Sequence, residues 1–358
     1  MKRFSFMELA KLPLGLQWAV LAGGGGLAGY VLHQAGLPAA LLLGPLAVAI
    51  CMGVVGTRIR VPRLMFRSGQ GIVGLMVAKS VTLGVLLALS EDWHLMLLVT
   101  AITILISAGV GLGLACFSPI PADASAWGTA PGAASAMIAM AEDNGSDGRL
   151  VACMQYVRVV CVVMLGAWIS HLFVVTSDTH LPLIFAEAPF TWFGLGVSLV
   201  IAFLGALSGK WLPAGALLTT IILGSALQLS GWLDITLNGT LVTLAYGVIG
   251  SYIGLRFDRA TVKHVVKLIP VIIIANVVLI LICTVLAWPL SFLFAKDFLS
   301  VFLATSPGGL DAMAIIAVET GSDASFVVAL QTLRLIGVVL SGSFYAHLVM
   351  RWKARVSR

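Results

Sequence analysis

Ten apolar runs of helical length divide this chain, and nearly all of its charge falls between them. In the first half they predict helices near 14–34, 37–55, 64–79, 93–117 and 149–174. In the second they predict helices near 191–208, 213–230, 240–255, 268–292 and 325–349. A helix of about 20 apolar residues crosses the ~30 Å hydrocarbon core of a bilayer. The pattern therefore predicts an all-α polytopic membrane protein with about ten transmembrane helices. The two membrane repeats, 1–174 and 191–358, are joined by a linker at 175–190 with Asp178, His180 and Glu187 but no Lys or Arg.

The halves are copies of each other. At an offset of 176, Thr129-Ala130-Pro131-Gly132 aligns with Thr305-Ser306-Pro307-Gly308, and Gly145-Ser146-Asp147 with Gly321-Ser322-Asp323. The same register pairs Gln155 with Gln331 and Arg158 with Arg334. Across 129–158, 12 of 30 positions are identical, more than shared apolar composition gives. Leu37-Pro38-Ala39 also matches Leu212-Pro213-Ala214, and Gly71-Ile72-Val73-Gly74 matches Gly247-Val248-Ile249-Gly250. Proline removes a donor and restricts its predecessor, while glycine opens left-handed backbone, so each Pro-Gly pair breaks a helix. In a bilayer, broken backbone survives only where protein covers it or where it lines a wet cavity. Freed carbonyls there can meet a cation, and a helix beginning at the break can meet an anion. One such break reads most simply as a packing kink. Two matching breaks, flanked by Thr129, Ser135, Thr305, Ser306, Gly309 and Asp311, favour a binding site.

Charge placement decides whether segments 122–143 and 300–319 cross the membrane or enter and return. If both return, each half has five spans, the repeats are inverted, and 17 of the 21 Lys and Arg face the cytoplasm. If both cross, the 256–267 loop (Arg256, Arg259, Lys263, Lys267) moves outside, against the positive-inside rule. Re-entrant segments are therefore expected, with both termini cytoplasmic and the protein in a bacterial cytoplasmic (inner) membrane. Inverted repeats whose broken segments meet near the midplane form a secondary-transporter architecture.

Composition excludes other classes. With 60% hydrophobic residues, 10% charged residues and a mean hydropathy of +1.07, this is no ordinary soluble domain. The net charge of +6 lies in clusters between spans, as topology signals do, and does not indicate nucleic acid. Lys2, Arg3 and Lys11 precede an apolar run without a small-x-small cleavage site, so the N-terminus reads as an uncleaved first helix. The five cysteines (Cys51, Cys116, Cys153, Cys161, Cys283) read as small buried hydrophobes, and the six histidines lack metal-ligand spacing. Gly24-Gly25-Gly26-Leu27-Ala28-Gly29 fits a dinucleotide fingerprint but follows no strand, so close helix packing is expected. The tryptophans, Trp18 and Trp127 included, mostly fall near span ends as interfacial anchors would, and 258–266 reads as a short amphipathic connector.

Asp311, four residues after Pro307 in an apolar segment, is the most informative single residue; Ser135 replaces it in the first copy. A carboxylate at a helix centre costs about 2.5–3.5 kcal/mol on insertion scales, so it needs a cation, a proton or an arginine. A coupling site for Na⁺ or a proton is expected, against the alternative of a structural ion pair. Arg158 and Arg334 fall near mid-helix with Gln155 and Gln331 three residues before them, on one helix face. Each Gln–Arg pair suits an anionic substrate, and equally suits a tie between hairpin and helix or neutralisation of Asp311. Glu142, Asp143 and Asp147 follow the first hairpin and Glu319 and Asp323 the second; Asp147 and Asp323 stand where helices should begin and read as N-caps, with a cation-attracting rim as the alternative.

These segments resemble one known family. Ala126-Trp127-Gly128-Thr129-Ala130-Pro131-Gly132, Met154-Gln155-Tyr156-Val157-Arg158 and Leu303-Ala304-Thr305-Ser306-Pro307-Gly308-Gly309-Leu310-Asp311 make the chain similar to the AbrB membrane-protein family (membrane AbrB duplication). The resemblance extends over essentially the whole chain, including Leu37-Pro38-Ala39-Ala40-Leu41-Leu42-Leu43-Gly44-Pro45. Members carry labels as regulators of gene expression or as ammonia monooxygenases. Direct DNA contact would need a basic soluble module, and the chain has no soluble stretch long enough. A small soluble DNA-binding regulator shares the family's name but no visible likeness to this chain. A monooxygenase would need copper or iron ligands that the scattered histidines do not supply.

The resulting expectation is a non-enzymatic secondary transporter without a cofactor, coupled to Na⁺ or protons. Its expected site is formed by Thr129, Pro131, Gly132, Ser135, Gln155, Arg158, Thr305, Ser306, Pro307, Gly308, Gly309, Asp311, Gln331 and Arg334. Expected partners are a small-molecule substrate and the lipid bilayer, with no nucleic acid; a homo-oligomer is allowed for. The alternatives are a membrane sensor that affects gene expression indirectly and, below it, a metal-dependent oxygenase.

Overall fold

The computed structural model describes residues 12–338 other than 80, 82, 84–89, 91, 133, 176–191, 210–214, 233–234, 236 and 258. Among the described residues the elements are all helical. The first half holds α1 (Leu14–Gln34), α2 (Ala40–Val55), α3 (Arg63–Ala78), α4 (Trp93–Phe117), α5 (Ala122–Thr129), α6 (Ala134–Asp143) and α7 (Gly148–Val175). The second holds α8 (Trp192–Ser208), α9 (Gly215–Leu229), α10 (Gly239–Gly254), α11 (Arg259–Val265), α12 (Ile269–Leu293), α13 (Phe298–Thr305), α14 (Leu310–Glu319) and α15 (Ala324–Val338). The expected helices are present to within three residues at their described ends. The remainder of 325–349 and most of the 175–190 linker lie outside the described residues. Helices α4, α7 and α12 are long and apolar enough to cross a membrane; α2, α9, α10, α15 and most of α8 are shorter but equally apolar in character.

Packing cuts across the sequence halves. One compact unit comprises Met1–Leu83, Ala167–Ala260 and Ala314–Gly321; the other comprises Gly84–Gly166, Thr261–Met313 and Ser322–Arg358. Each unit therefore draws on both copies of the duplication.

In the first unit, absent side chains bring helices together. A Cβ on Gly25 would stand 3.0 Å from Pro45 Cα, and one on Gly44 only 2.1 Å from the Gly29 nitrogen, so α1 and α2 meet backbone to backbone. The expected close packing of the glycine run is thus present. Proline at 45 inside α2 is accommodated because α1 offers glycine opposite it. Gly44→Ala should push the two backbones apart. Overpacking of this kind costs about 1–3 kcal/mol, measurable as a lower melting temperature in detergent; an unchanged melt would mean that α1 and α2 are not so close.

The copies exchange contacts within this unit. A Cβ on Gly74 of α3 would lie 2.6 Å from the Leu217 carbonyl of α9, and one on Gly250 of α10 lies 2.4 Å from the Leu42 carbonyl of α2. Gly74 and Gly250 are repeat equivalents, as are Leu42 and Leu217.

Two expectations need correction here. Trp127 is no interfacial anchor: it is 1% exposed inside α5. Of the cysteines, Cys153 and Cys283 are buried, but Cys51 is exposed and Cys116 and Cys161 lie between. An apolar helix face that meets lipid needs no burial in protein, so a cysteine is accepted there as readily as inside.

Candidate functional site

In the second unit α4 packs on α5, α12 on α13, and α4 on α12. The two Pro-Gly segments are helical hairpins. Helix α5 ends where Pro131 enters: Ala130 N–H still reaches the Ala126 carbonyl, but Gly132 N–H turns back to the Ala130 carbonyl at 2.9 Å. Helix α13 ends likewise, its last turn closed by Ser306 N–H on the Phe302 carbonyl at 2.8 Å.

A helix end leaves carbonyls without partners. Here a Gln–Arg pair on the following long helix supplies the donors. Gln155 Nε2 donates to the Trp127 carbonyl at 2.8 Å, and Arg158 Nη1 to the Ala130 carbonyl at 2.7 Å. Arg158 Nη2 donates to Gln155 Oε1 at 2.7 Å and reaches the Gly132 carbonyl at 3.4 Å. The second copy repeats the arrangement. Gln331 Nε2 donates to the Leu303 carbonyl at 2.7 Å, Arg334 Nη1 to Ser306 at 2.7 Å, and Arg334 Nη2 to Gly308 at 3.4 Å. All four side chains are buried. The guanidinium charge also opposes the negative end of the helix dipole. Of the readings open from sequence, the geometry realises the tie between hairpin and helix.

The clamps also give direction. Gln155 meets Trp127 and, three residues on, Arg158 meets Ala130, so α5 and α7 advance side by side. The second hairpin visibly closes at its base. Ser300 Oγ near the start of α13 accepts from Asp323 N–H at 2.7 Å, and Lys296 Nζ pairs with Asp323 Oδ2 at 2.8 Å. A helix that went straight on would separate residues 300 and 323 by about 35 Å. This segment doubles back.

The tips cross between copies. A Cβ on Gly132 would stand 3.2 Å from Val338 Cγ1, and one on Gly308 2.9 Å from Val162 Cγ1. Val162 and Val338 are repeat equivalents, each four residues beyond its clamp arginine. Along α7 the order is first tip at Arg158, second tip at Val162. Along α15 it is second tip at Arg334, first tip at Val338. The two helices therefore run in opposite directions past the tips.

Among the other expected residues, Thr129 Oγ1 donates to the Ser125 carbonyl and Thr305 Oγ1 to the Val301 carbonyl, both at 2.8 Å. Ser306 is fully buried. Asp311 lies in the first turn of α14 and is partly buried, where the positive end of the helix dipole favours its charge. Pro307 and Gly309 complete the second tip. Ser135 falls in the first turn of α6, and its side chain lies outside the described ones. Beside the first break, α4, α5, α7 and α12 enclose a cavity of about 10 Å³, room for one water-sized particle, with Thr129 and Asn276 as its polar lining. Asn276 Nδ2 donates to its own helix at Ile272, which turns its amide oxygen away from that helix.

Asp147 and Asp323 cap α7 and α15 as expected: Asp147 Oδ1 accepts from Arg149 and Leu150 N–H, and Asp323 Oδ1 from Phe326 N–H. Sequence reasoning missed the Lys296–Asp323 pair, since Lys296 has Ile120 as its repeat equivalent and no periodic signal. It also did not foresee the partner of Glu319, whose carboxylate accepts from Ala39 N–H ahead of α2, in the first unit. Ala39 holds φ +55, a left-handed geometry unusual for a residue with a Cβ. Lys296→Ala should loosen the base of the second hairpin. A half-exposed pair contributes about 0–1 kcal/mol, so proteolysis or hydrogen exchange near residues 296–300 should rise while global melting hardly moves.

The family described as Transition state regulatory protein AbrB matches residues 14–350 of this chain. The "Putative regulator AbrB" of Escherichia coli (strain K12) is 35% identical, over 90% of this chain and 93% of its own length. The "Uncharacterized protein YhjN" of Bacillus subtilis (strain 168) is 28% identical, over 87% of both chains.

Proposed function

This chain belongs to the AbrB family, and from that premise we propose that it is a non-enzymatic secondary transporter of a small anionic metabolite. It works by alternating access in a bilayer, with Na⁺ or a proton as coupling ion. One observation carries the reading: two identically clamped hairpins whose tips exchange contacts with the opposite copy, on helices that run in opposite directions. That geometry supports two inverted repeats with ten spans and two re-entrant segments, the arrangement in which broken backbone meets a polar cargo near the midplane. Placement in the cytoplasmic membrane with both termini inside follows from the distribution of Lys and Arg.

Within this proposal the residues divide their roles. The Gln–Arg clamps hold the tip backbone in position, and their two buried positive charges bias the unit toward an anionic cargo. Asp311, at the start of the helix after the second break, takes the coupling cation or proton. The polar tip groups of Thr129, Ser306 and Gly309 are the substrate contacts.

The second reading, a membrane sensor, is favoured by the name of the Escherichia coli relative. A sensor binds without moving its ligand. Purified protein in proteoliposomes, preloaded with candidate organic anions, distinguishes the two: the transporter exchanges labelled for unlabelled solute, and binding without counterflow would establish the sensor. The oxygenase reading has no observation in its favour.

A further inference from the structure

In the first unit, an open groove runs along α1 from Trp18 to Gly29, walled by α2, α10 and the residues leading into α3. Its floor is open at Gly26, where an added Cβ would meet nothing, and its cavity is about 230 Å³ with a mostly apolar lining. Eleven helical rises from Trp18 to Gly29 make it about 16 Å long, the depth of one leaflet's hydrocarbon.

One end of this groove is cationic. Val61 and Met65 line it there, and Arg58 and Arg63 beside them are exposed. Arg58 is held at the Trp18 end, since its N–H donates to the Gln17 side chain at 3.0 Å. Arg256, stacked over Tyr252 at 4.6 Å, follows Ser251 on the α10 wall by about one turn. No acidic residue occurs between Glu8 and Glu91, so this part of the chain supplies no counter-charge of its own.

We propose that the groove is a binding site for an anionic phospholipid, with one acyl chain lying along the α1 glycines and the headgroup phosphate against Arg58 and Arg63. The arginines are suited to phosphate, for which the guanidinium fork gives paired charge-assisted bonds. A helix from a second copy fits less well: at ~10 Å across, over the same length it exceeds the open volume of the groove. The site lies in the first unit and does not depend on the transporter reading.

The test uses full-length protein, delipidated in detergent, with phosphatidylglycerol or phosphatidylcholine added back and followed by native mass spectrometry and melting temperature. Phosphatidylglycerol should bind and stabilise, and phosphatidylcholine should do so far less. Arg58→Gln and Arg63→Gln should each weaken phosphatidylglycerol binding by roughly fivefold, the effect of one cation near an anionic lipid surface. Gly26→Phe, where an added Cβ meets open space, should fill the groove and remove retention of both lipids. Equal binding of the two lipids, or undiminished phosphatidylglycerol retention by Gly26→Phe, would overturn the proposal. Loss of a dimer mass in Gly26→Phe without change in lipid retention would assign the groove to a second copy instead. The arginine variants, altered only at exposed side chains, keep the test decisive if Gly26→Phe fails to fold.

Discussion

Arg334→Met should collapse the second hairpin tip and remove a large share of the protein's stability. The guanidinium bonds the carbonyls of Thr305, Ser306 and Gly308, the last turn of α13 and the break itself. Methionine matches its length but donates nothing, leaving buried carbonyls without partners. Each buried carbonyl left without a partner costs about 1–3 kcal/mol, against roughly 5–15 kcal/mol for a typical fold. Thermal melting in detergent should drop sharply, with new protease cleavage near residues 305–309. Lysine at 334 should recover part of the loss, because a single ammonium cannot span several carbonyls as a planar fork does. Arg158→Met should act the same way on the first tip. If the arginines instead served mainly to hold substrate, Arg334→Met would leave the melt unchanged and abolish only flux. The melting curve and the flux assay therefore separate a positioning role from a binding one.

Asp311→Asn should leave the fold intact and stop coupled movement. The side chain occupies the first turn of α14, where asparagine is accepted by the backbone, so melting should change little. What disappears is the negative charge. A charge-assisted contact is worth about 1.5–3 kcal/mol, which corresponds to about 10–150-fold in affinity for the cation. Uptake driven by an ion gradient in proteoliposomes should fall by that order, while gradient-free counterflow of the organic solute is retained in part. Undiminished ion-driven uptake would remove Asp311 from the mechanism, and Ser135→Asp in the first copy would then have no expected effect either.

Much of the architecture was legible because lipid leaves few choices. Every backbone group in hydrocarbon must find a partner inside its own segment, so an apolar run such as 93–117 or 268–292 has to be a helix, and α4 and α12 follow it closely. The breaks were legible for the converse reason, since Pro131-Gly132 and Pro307-Gly308 cannot continue one. Spacing put Gln155 with Arg158 and Gln331 with Arg334 on one face, yet it left substrate, carboxylate and backbone as equal partners for them. Carbonyl oxygens have no sequence signature, because every residue carries one. Trp127 could not be told from the anchoring tryptophans for a similar reason: residue type is local information, and burial is not.

The sequence by itself determined the helices, their breaks, the duplication and the family, since each depends on residues close in the chain or on identity between two stretches of it. Only the tertiary structure decided that each compact unit mixes both copies, that the arginines bind hairpin carbonyls, and that Gly132 meets Val338 while Gly308 meets Val162. Those are choices among partners far apart in sequence. They are made by which surfaces fit at close range, where a missing Cβ or a single guanidinium fork determines which backbones can touch.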